Sequence, residues 1–332
     1  MKKYLILSAA LSLAFWGCKK ENTFDGPSLN DMYGDFAIVH GLDISNRDVD
    51  FGAGQTTYFT AEFTKNVNWQ LTITGLSSGA VKQLNGFSNV LNVSNALWNG
   101  TTTHLPMFRA EDCAVALSIA NVADTLRDTL TVAGTRINNG FVLADFESGM
   151  NPGWVPFIQS GANMNFSVQT GSGAAQGSRF YNMAGAVSWD WLIGMIDMPA
   201  SAYGSAHMPL TSNAANLYFN SMIYKPAGVT NGLVLLQFRE DDNGDGAFSE
   251  GTEDMYSIQV SLMTDGWNQV SQRYEDIPTL VNGSAAGALG NGLHEPDKLL
   301  KVSVLFLANP SSGYSQSAID YLIFTEDAPL QP

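Results

Sequence analysis

Few side chains in this chain carry charge, and those that do are mostly of one sign. Asp, Glu, Lys and Arg make up 14% of 332 residues, with 16 basic side chains against 31 acidic ones. A surface of net charge −15 repels phosphate backbones, which excludes nucleic acid as a partner. There are two cysteines, Cys18 and Cys113, too few for a disulfide framework. The four histidines, His40, His104, His207 and His294, are scattered at spacings that form no metal triad. No G-x-S-x-G elbow, H-E-x-x-H pair, C-x-x-C pair, Walker loop or dinucleotide fingerprint occurs, so the chemistries those motifs serve find no support. The two halves of the chain share no repeat, and there is no heptad or low-complexity block. The apolar stretch from Tyr4 to Trp16 falls short of the roughly twenty residues that a membrane-spanning helix needs.

That stretch has another meaning. Lys2 and Lys3 precede it, Gly17 and Cys18 follow it, and this order is that of a secretory signal. Phe15-Trp16-Gly17-Cys18 resembles the lipobox of bacterial lipoproteins, although two bulky aromatics stand where small or aliphatic residues are usual. The resemblance implies that residues 1–17 are a signal peptide and that Cys18 is the lipidated first residue of the mature protein. The membrane would then be a partner through a lipid anchor. Residues 18–32 are polar, contain Gly26 and Pro27, and show no apolar period, as a short flexible tether would. Loss of Lys2 and Lys3 leaves 14 basic residues against 31 acids, a net charge of about −17 that attracts divalent cations.

Beyond the tether the chain reads as all-β. Short alternating runs occur at Phe36–Val39, Thr57–Phe63, Trp69–Ile73, Ala114–Ile119 and Asp128–Val132, with turn residues between them. About a hundred residues with some seven strands predict an immunoglobulin-like β-sandwich over 33–137, with Trp69 in its core and Cys113 as a buried thiol. After the turn-rich Ile137–Gly140 the strands lengthen: Leu217–Tyr224, Leu233–Arg239, Met255–Leu262, Gly266–Tyr274, Lys301–Ala308 and Ala318–Phe324. This pattern predicts a larger jelly-roll β-sandwich over 140–328.

Two features carry chemistry. Asp241, Asn243, Asp245 and Gly246 take positions 1, 3, 5 and 6 of an EF-hand-type calcium loop, with Phe248 as an apolar anchor. Thr252 stands where a closing acid is expected, and Glu250 and Glu253 lie on either side of it. A bare hairpin turn asks for the same Asp, Asn and Gly residues and is the alternative. The second feature is a resemblance. Phe141–Trp154, the aromatic-rich Gln176–Tyr181 with Trp189-Asp190-Trp191, and the closing Ala318–Phe324 look like the start, middle and end of galactose-binding-like jelly rolls, the fold of many carbohydrate-binding modules. It implies a structural calcium held by an acid after the first strand and one in the last, here Glu147 and Asp320. Taken whole, the chain resembles two-domain surface lipoproteins of glycan-using Gram-negative bacteria, which act by binding. That resemblance implies an outer-membrane location, with the anchor facing the periplasm or the outside.

A glycan needs aromatic faces for stacking and amides or guanidinium groups for its hydroxyls. If Val234, Leu236 and Phe238 face the core, Leu235, Gln237 and Arg239 face away. The same alternation predicts one sheet face carrying Tyr218, Asn220, Gln237, Arg239 and Gln259, with Trp189 and Trp191 as a stacking pair. The expected function is thus carbohydrate binding by a non-catalytic, membrane-anchored lipoprotein. The alternatives are a structural or adhesive envelope protein with a protein partner, and an accessory glycan-degrading enzyme. For the last, acids are so plentiful that no catalytic pair stands out. The anchoring step has a direct check: Cys18→Ala should move the protein from the membrane to the soluble fraction, and unchanged retention contradicts lipidation.

Overall fold

A computed structural model describes residues 34–171, 173–189, 191–229, 232–260, 264–281, 283–308 and 313–332. The signal peptide, Cys18 and the tether lie outside these residues.

The two alternating runs at 57–63 and 69–73 are one continuous strand. β1 (Ile38–Ile44) and β2 (Asp48–Asp50) lead into β3 (Thr57–Gly75), followed by β4 (Val81–Leu91), β5 (Leu97–Trp98), β6 (Glu111–Ile119) and β7 (Leu126–Gly134). The first half of β3 pairs with β1, and its second half runs between β4 and β6. β7 adds to β6, and β2 lies parallel to β7 at the end of the path. Odd-numbered residues of β3 face inward in both halves, so Phe59, Phe63, Trp69, Leu71 and Ile73 enter one core. The Trp69 indole crosses the backbone of Gly86 on β4, where a Cβ would come within 2.2 Å of the ring. Glycine is the residue that leaves room for it. Trp98 is equally buried, with Phe51 and Phe108 edge-on to it and its N–H donated to the Thr101 carbonyl. Cys113 is fully buried as expected; burial and then the nearby Glu111 and Asp112 push its thiol up to about 12.

The second half of the chain is a sandwich of two antiparallel sheets. β8 (Phe141–Ala144), β9 (Val155–Ile158), β10 (Ala162–Thr170), β11 (Arg179–Ala186) and β12 (Leu192–Pro199) come first. β13 (Leu217–Lys225), β14 (Gly232–Glu240), β15 (Met255–Val260) and β16 (Gly266–Arg273) follow. A small β17 (Leu280–Val281) and β18 (Ser284–Ala285) hairpin precedes β19 (Leu299–Ala308) and β20 (Ser315–Glu326). One sheet has the order β10-β11-β20-β13-β16, with β8 also on β20; the other is β15-β14-β19-β12-β9. Between them lie Phe219, Phe238, Phe306, Phe324 and Tyr274, packed mostly edge to face. The chain is therefore all-β, and its C-terminal part is a jelly-roll type of sandwich.

The two cores meet through a third, smaller cluster. Met107 from the first half packs with Ala175, Met222, Tyr321, Ile323 and Leu330 of the second. The C-terminal residues run back over this junction. The Leu330 N–H donates to Asn220 Oδ1, and the Pro332 carbonyl accepts from Thr102 N.

Candidate ligand-binding site

The outer face of the β15-β14-β19-β12-β9 sheet is built by simple alternation. Val234, Leu236 and Phe238 point inward, as expected, and Leu233, Leu235, Gln237 and Arg239 point outward. Register carries this across the sheet. One row runs Gln259, Leu235, Leu305, Met195, Phe157; the next runs Gln237, Ser303, Asp197, Val155; and beyond that Arg239, Lys301 and Pro199 align. Over the first rows lies a cleft of about 500 Å³, with Leu233, Leu235, Leu305 and Leu307 on its floor beside Gln237 and Gln259. Trp191 lines it where β12 begins, and Leu280, Val281 and Leu289 line it from the segment beyond β15. That segment is tied to the β15 edge by the Ser257 N–H on the Pro278 carbonyl. Glu250 is the one carboxylate among the described lining residues.

The polar side of the floor is a connected network. Arg239 donates to Ser303 Oγ and, at 2.9 Å, to Gln237 Oε1, and its guanidinium lies 5.5 Å from the centre of the Phe248 ring. Ser303 donates to Asp197, which also takes Lys301 Nζ at 2.7 Å. Burial pulls the Arg239 guanidinium below its ordinary value, while Asp197 and Glu250 oppose that shift. With its oxygen on Arg239, the Gln237 amide presents its N–H donors away from the guanidinium.

The wall beyond β15 is held by carboxylates of the β14–β15 connection. Asp254, fully buried, accepts N–H bonds from Leu289 (3.2 Å), Gly290 (2.9 Å) and Gly292 (2.6 Å). Asp242 accepts from Asn291 and from Asp254 N itself, both at 3.1 Å. A Cβ on Gly290 would fall 1.8 Å from the Asp242 carboxylate, so only glycine lets the loop come this close. Glu240, also fully buried, accepts from Tyr274 Oη and Glu295 N; burial pushes it up to about 8.

The calcium-loop residues divide. Carboxylate oxygens of Asp241, Asp245 and Glu253 lie within 4.8 Å of one another. Asp241 is buried and accepts from Gly244, Asp245 and Gly246 N–H groups and from His207 Nε2 at 2.9 Å. Burial pushes its pKa upward, but these bonds outweigh that and hold it below the usual carboxylate range. Asn243 is exposed, with its Oδ1 on Asp245 N. Glu250 points into the cleft instead, so Glu253 is the acid that closes the group.

Glu147 and Asp320 meet at one loop. Glu147 accepts from Ser178 N, Ser178 Oγ and Arg179 N, while Asp320 accepts from Gln176 N. Burial, with Glu147 adding to it, pushes Asp320 up to about 8. Gln176 Oε1 is buried and has no hydrogen-bond partner among the described residues. A buried carboxylate and an unpaired amide oxygen on one loop suit a hard cation such as calcium.

Tyr218 and Asn220 do not belong to the cleft. They lie on β13, which pairs with β16 and β20 in the opposite sheet. Asn220 is fully buried, its Oδ1 taken by Leu330 N and Ser271 Oγ and its Nδ2 by Thr325 Oγ1. Alternation orders residues within a strand but does not say which sheet the strand joins. Trp191 and Trp189 are 46% and 60% exposed, and only Trp191 is in the cleft lining. Alternation placed Leu235 on the outward face, but the other leucines of the floor and wall went unnoticed, because aliphatic side chains look like core from either face.

No protein-family model matches the chain, and no curated protein matches it. Among solved structures it is similar to a protein described under the promiscuous specificity of carbohydrate-binding modules from the β-sandwich superfamily. That match has 11% identity and a TM-score of 0.37 over 89% of this chain and 99% of the other. A family 11 carbohydrate-binding module from Clostridium thermocellum, in complex with a β-1,3-1,4-mixed-linked tetrasaccharide, aligns at 14% identity and a TM-score of 0.38, covering 56% and 94%. SGBP-B from a complex xyloglucan utilization locus in Bacteroides uniformis aligns at 11% identity and a TM-score of 0.33, covering 88% and 73%. At these TM-scores the likeness assigns neither family nor ligand.

The anchoring of the cleft wall can be tested directly. Asp254→Ala leaves three loop N–H groups without their acceptor and should cost about 3 kcal/mol of stability in urea melts. It should also make 283–293 a site of rapid limited proteolysis, and an unchanged cleavage pattern would refute the anchoring.

Proposed function

We propose that this chain is a non-catalytic carbohydrate-binding protein held at the cell envelope by a lipid on Cys18, with the outer-face cleft as its binding site. The observation that carries the reading is the cleft itself: an exposed indole, Trp191, at one end and two amides, Gln237 and Gln259, on a rigid sheet floor. Stacking on an aromatic face with amide hydrogen bonds at the ring edge is how a neutral sugar is held in water. Glycoside hydrolysis uses two carboxylates across a cleft, and Glu250 is the one carboxylate among the described lining residues. Docking of an envelope protein is the second reading. It draws on the edge strand β9, where Val155, Phe157 and Ile158 are exposed.

Calcium is part of the proposal. Glu147, Asp320 and Gln176 would hold one ion beside β20, and Asp241, Asp245 and Glu253 a second in the β14–β15 connection. The ion's chemistry in both places is structural, neutralising acids that otherwise repel one another.

Two experiments follow. In affinity electrophoresis against a panel of neutral polysaccharides, the protein should be retarded by at least one. Trp191→Ala or Gln237→Ala should weaken that retention about tenfold or more, and Tyr218→Ala should leave it unchanged. Wild-type retention in the Trp191 variant removes the cleft from consideration. Millimolar calcium should raise the melting temperature by about 5 °C. Asp245→Ala should lose the part due to the connection loop, and a wild-type melting curve insensitive to both calcium and chelator contradicts both sites.

A further inference from the structure

The walls of the cleft do not match an unsubstituted sugar. A pyranose carries hydroxyls around its rim, and each one moved out of water without a partner weakens binding by about tenfold. The side chains of Leu235, Leu305 and Leu307 on the floor and of Leu280 and Leu289 on the wall carry no hydrogen-bonding groups. An aromatic platform leaves the ring edge in water, but here aliphatic groups come from the sheet and from the segment beyond β15 as well. The amides among the described lining residues flank the leucines: Gln259 lies across from Leu235 on β15, in the row that continues to Leu305, and Gln237 lies one row nearer Arg239. A ligand that fits meets the two amides with polar groups and is apolar, without hydroxyls, where it lies on the leucines.

Charge narrows the choice. Glu250 stands in the cleft lining, and the chain has 31 acids against 16 basic residues. A fatty acid or an anionic lipid would bring its own negative charge to this surface. The apolar part of the ligand is therefore attached through a neutral link. At about 500 Å³ the cleft is larger than an isolated methyl or acetyl group requires and suits a substituted sugar residue.

We infer that the cleft recognises glycans whose hydroxyls are esterified with short acyl groups, of which the acetyl ester is the simplest. This rests on the carbohydrate reading above and specifies its ligand. The acyl methyl packs on Leu235, Leu305 and Leu307, the ring stacks at Trp191, and the remaining hydroxyls meet Gln237, Gln259 and Glu250. Esterification converts a hydroxyl donor, which leucine cannot satisfy, into an apolar surface that it can.

The test uses the full chain and two polymers, acetylated xylan and acetylated glucomannan, each against the same polymer after saponification. Affinity electrophoresis should show at least tenfold tighter retention on one acetylated polymer than on its saponified form. Leu235→Gln, at a partly exposed position, should lower retention on the acetylated polymer to the level of the saponified one. A competition with the unaltered protein needs no variant: acetylated oligosaccharides should release it from the gel, and their saponified forms should not. Equal or tighter binding of a saponified polymer overturns the acyl preference and leaves the carbohydrate reading standing. Retention by none of the four polymers overturns the acyl preference, and failure on the whole neutral-polysaccharide panel as well overturns the carbohydrate reading.

Discussion

The cleft depends on carboxylates buried where β14 and β15 leave their sheet. A buried carboxylate is costly unless its oxygens meet donors, and backbone N–H groups of an irregular loop are costly unless they meet acceptors. Each need answers the other here. Asp254 takes three N–H groups of the 289–292 turn, Asp242 takes a fourth, and Glu240 takes that of Glu295. A glycine- and alanine-rich segment with little side-chain surface to bury is thereby fixed beside a sheet edge. That edge is covered, and the leucines of the segment are delivered to the cleft.

The same chemistry explains a composition that otherwise looks contradictory. Charged residues are scarce, yet several acids crowd into one hairpin connection, and some of them have no cation beside them. Asp241 is held by three backbone donors and His207, and Glu253 by the N–H groups of Asn243 and Ser249. Much of the connection is thus ordered by acid-to-backbone bonds within the protein. The acidic cluster is first an architectural device, and a cation bound to Asp241, Asp245 and Glu253 would tighten a turn whose shape those bonds already set.

How much of this was legible in the residues follows from what each signal measures. Alternation in Leu233–Arg239 correctly separated Phe238 from Gln237 and Arg239, because a period of two is a property of one strand. It placed Tyr218 and Asn220 with them incorrectly, because sheet membership depends on pairings with β16 and β20, distant in sequence. The Asp-x-Asn-x-Asp-Gly spacing found the turn but could not choose between Glu250 and Glu253; the fold sends one to the cleft and the other inward. Alternation turned Leu235 outward, but the groove that it and the other leucines line was invisible for a deeper reason. Burial in a core and exposure in a binding groove ask for the same side chains, and only the segment beyond β15, pinned by acids, turns an outer sheet face into a groove.

The junction between the two halves extends this logic. Asp320 sits on β20 under the loop 174–178, and the same loop offers its Ala175 carbonyl to Met107 N. Arg109, from the first half of the chain, also reaches the Gly171 and Ala174 carbonyls. The backbone N–H of Gln176 faces Asp320 while the carbonyl of Ala175 faces the first half of the chain, so one short loop serves two interfaces at once. Asn220 does the equivalent for the C-terminal residues, which close over Met107 and Met222 before reaching Thr102. The outer face of the β13 sheet, where sequence alone placed part of the binding site, is therefore committed to joining the two halves. That commitment leaves the outer face of the opposite sheet as the one open to the proposed ligand.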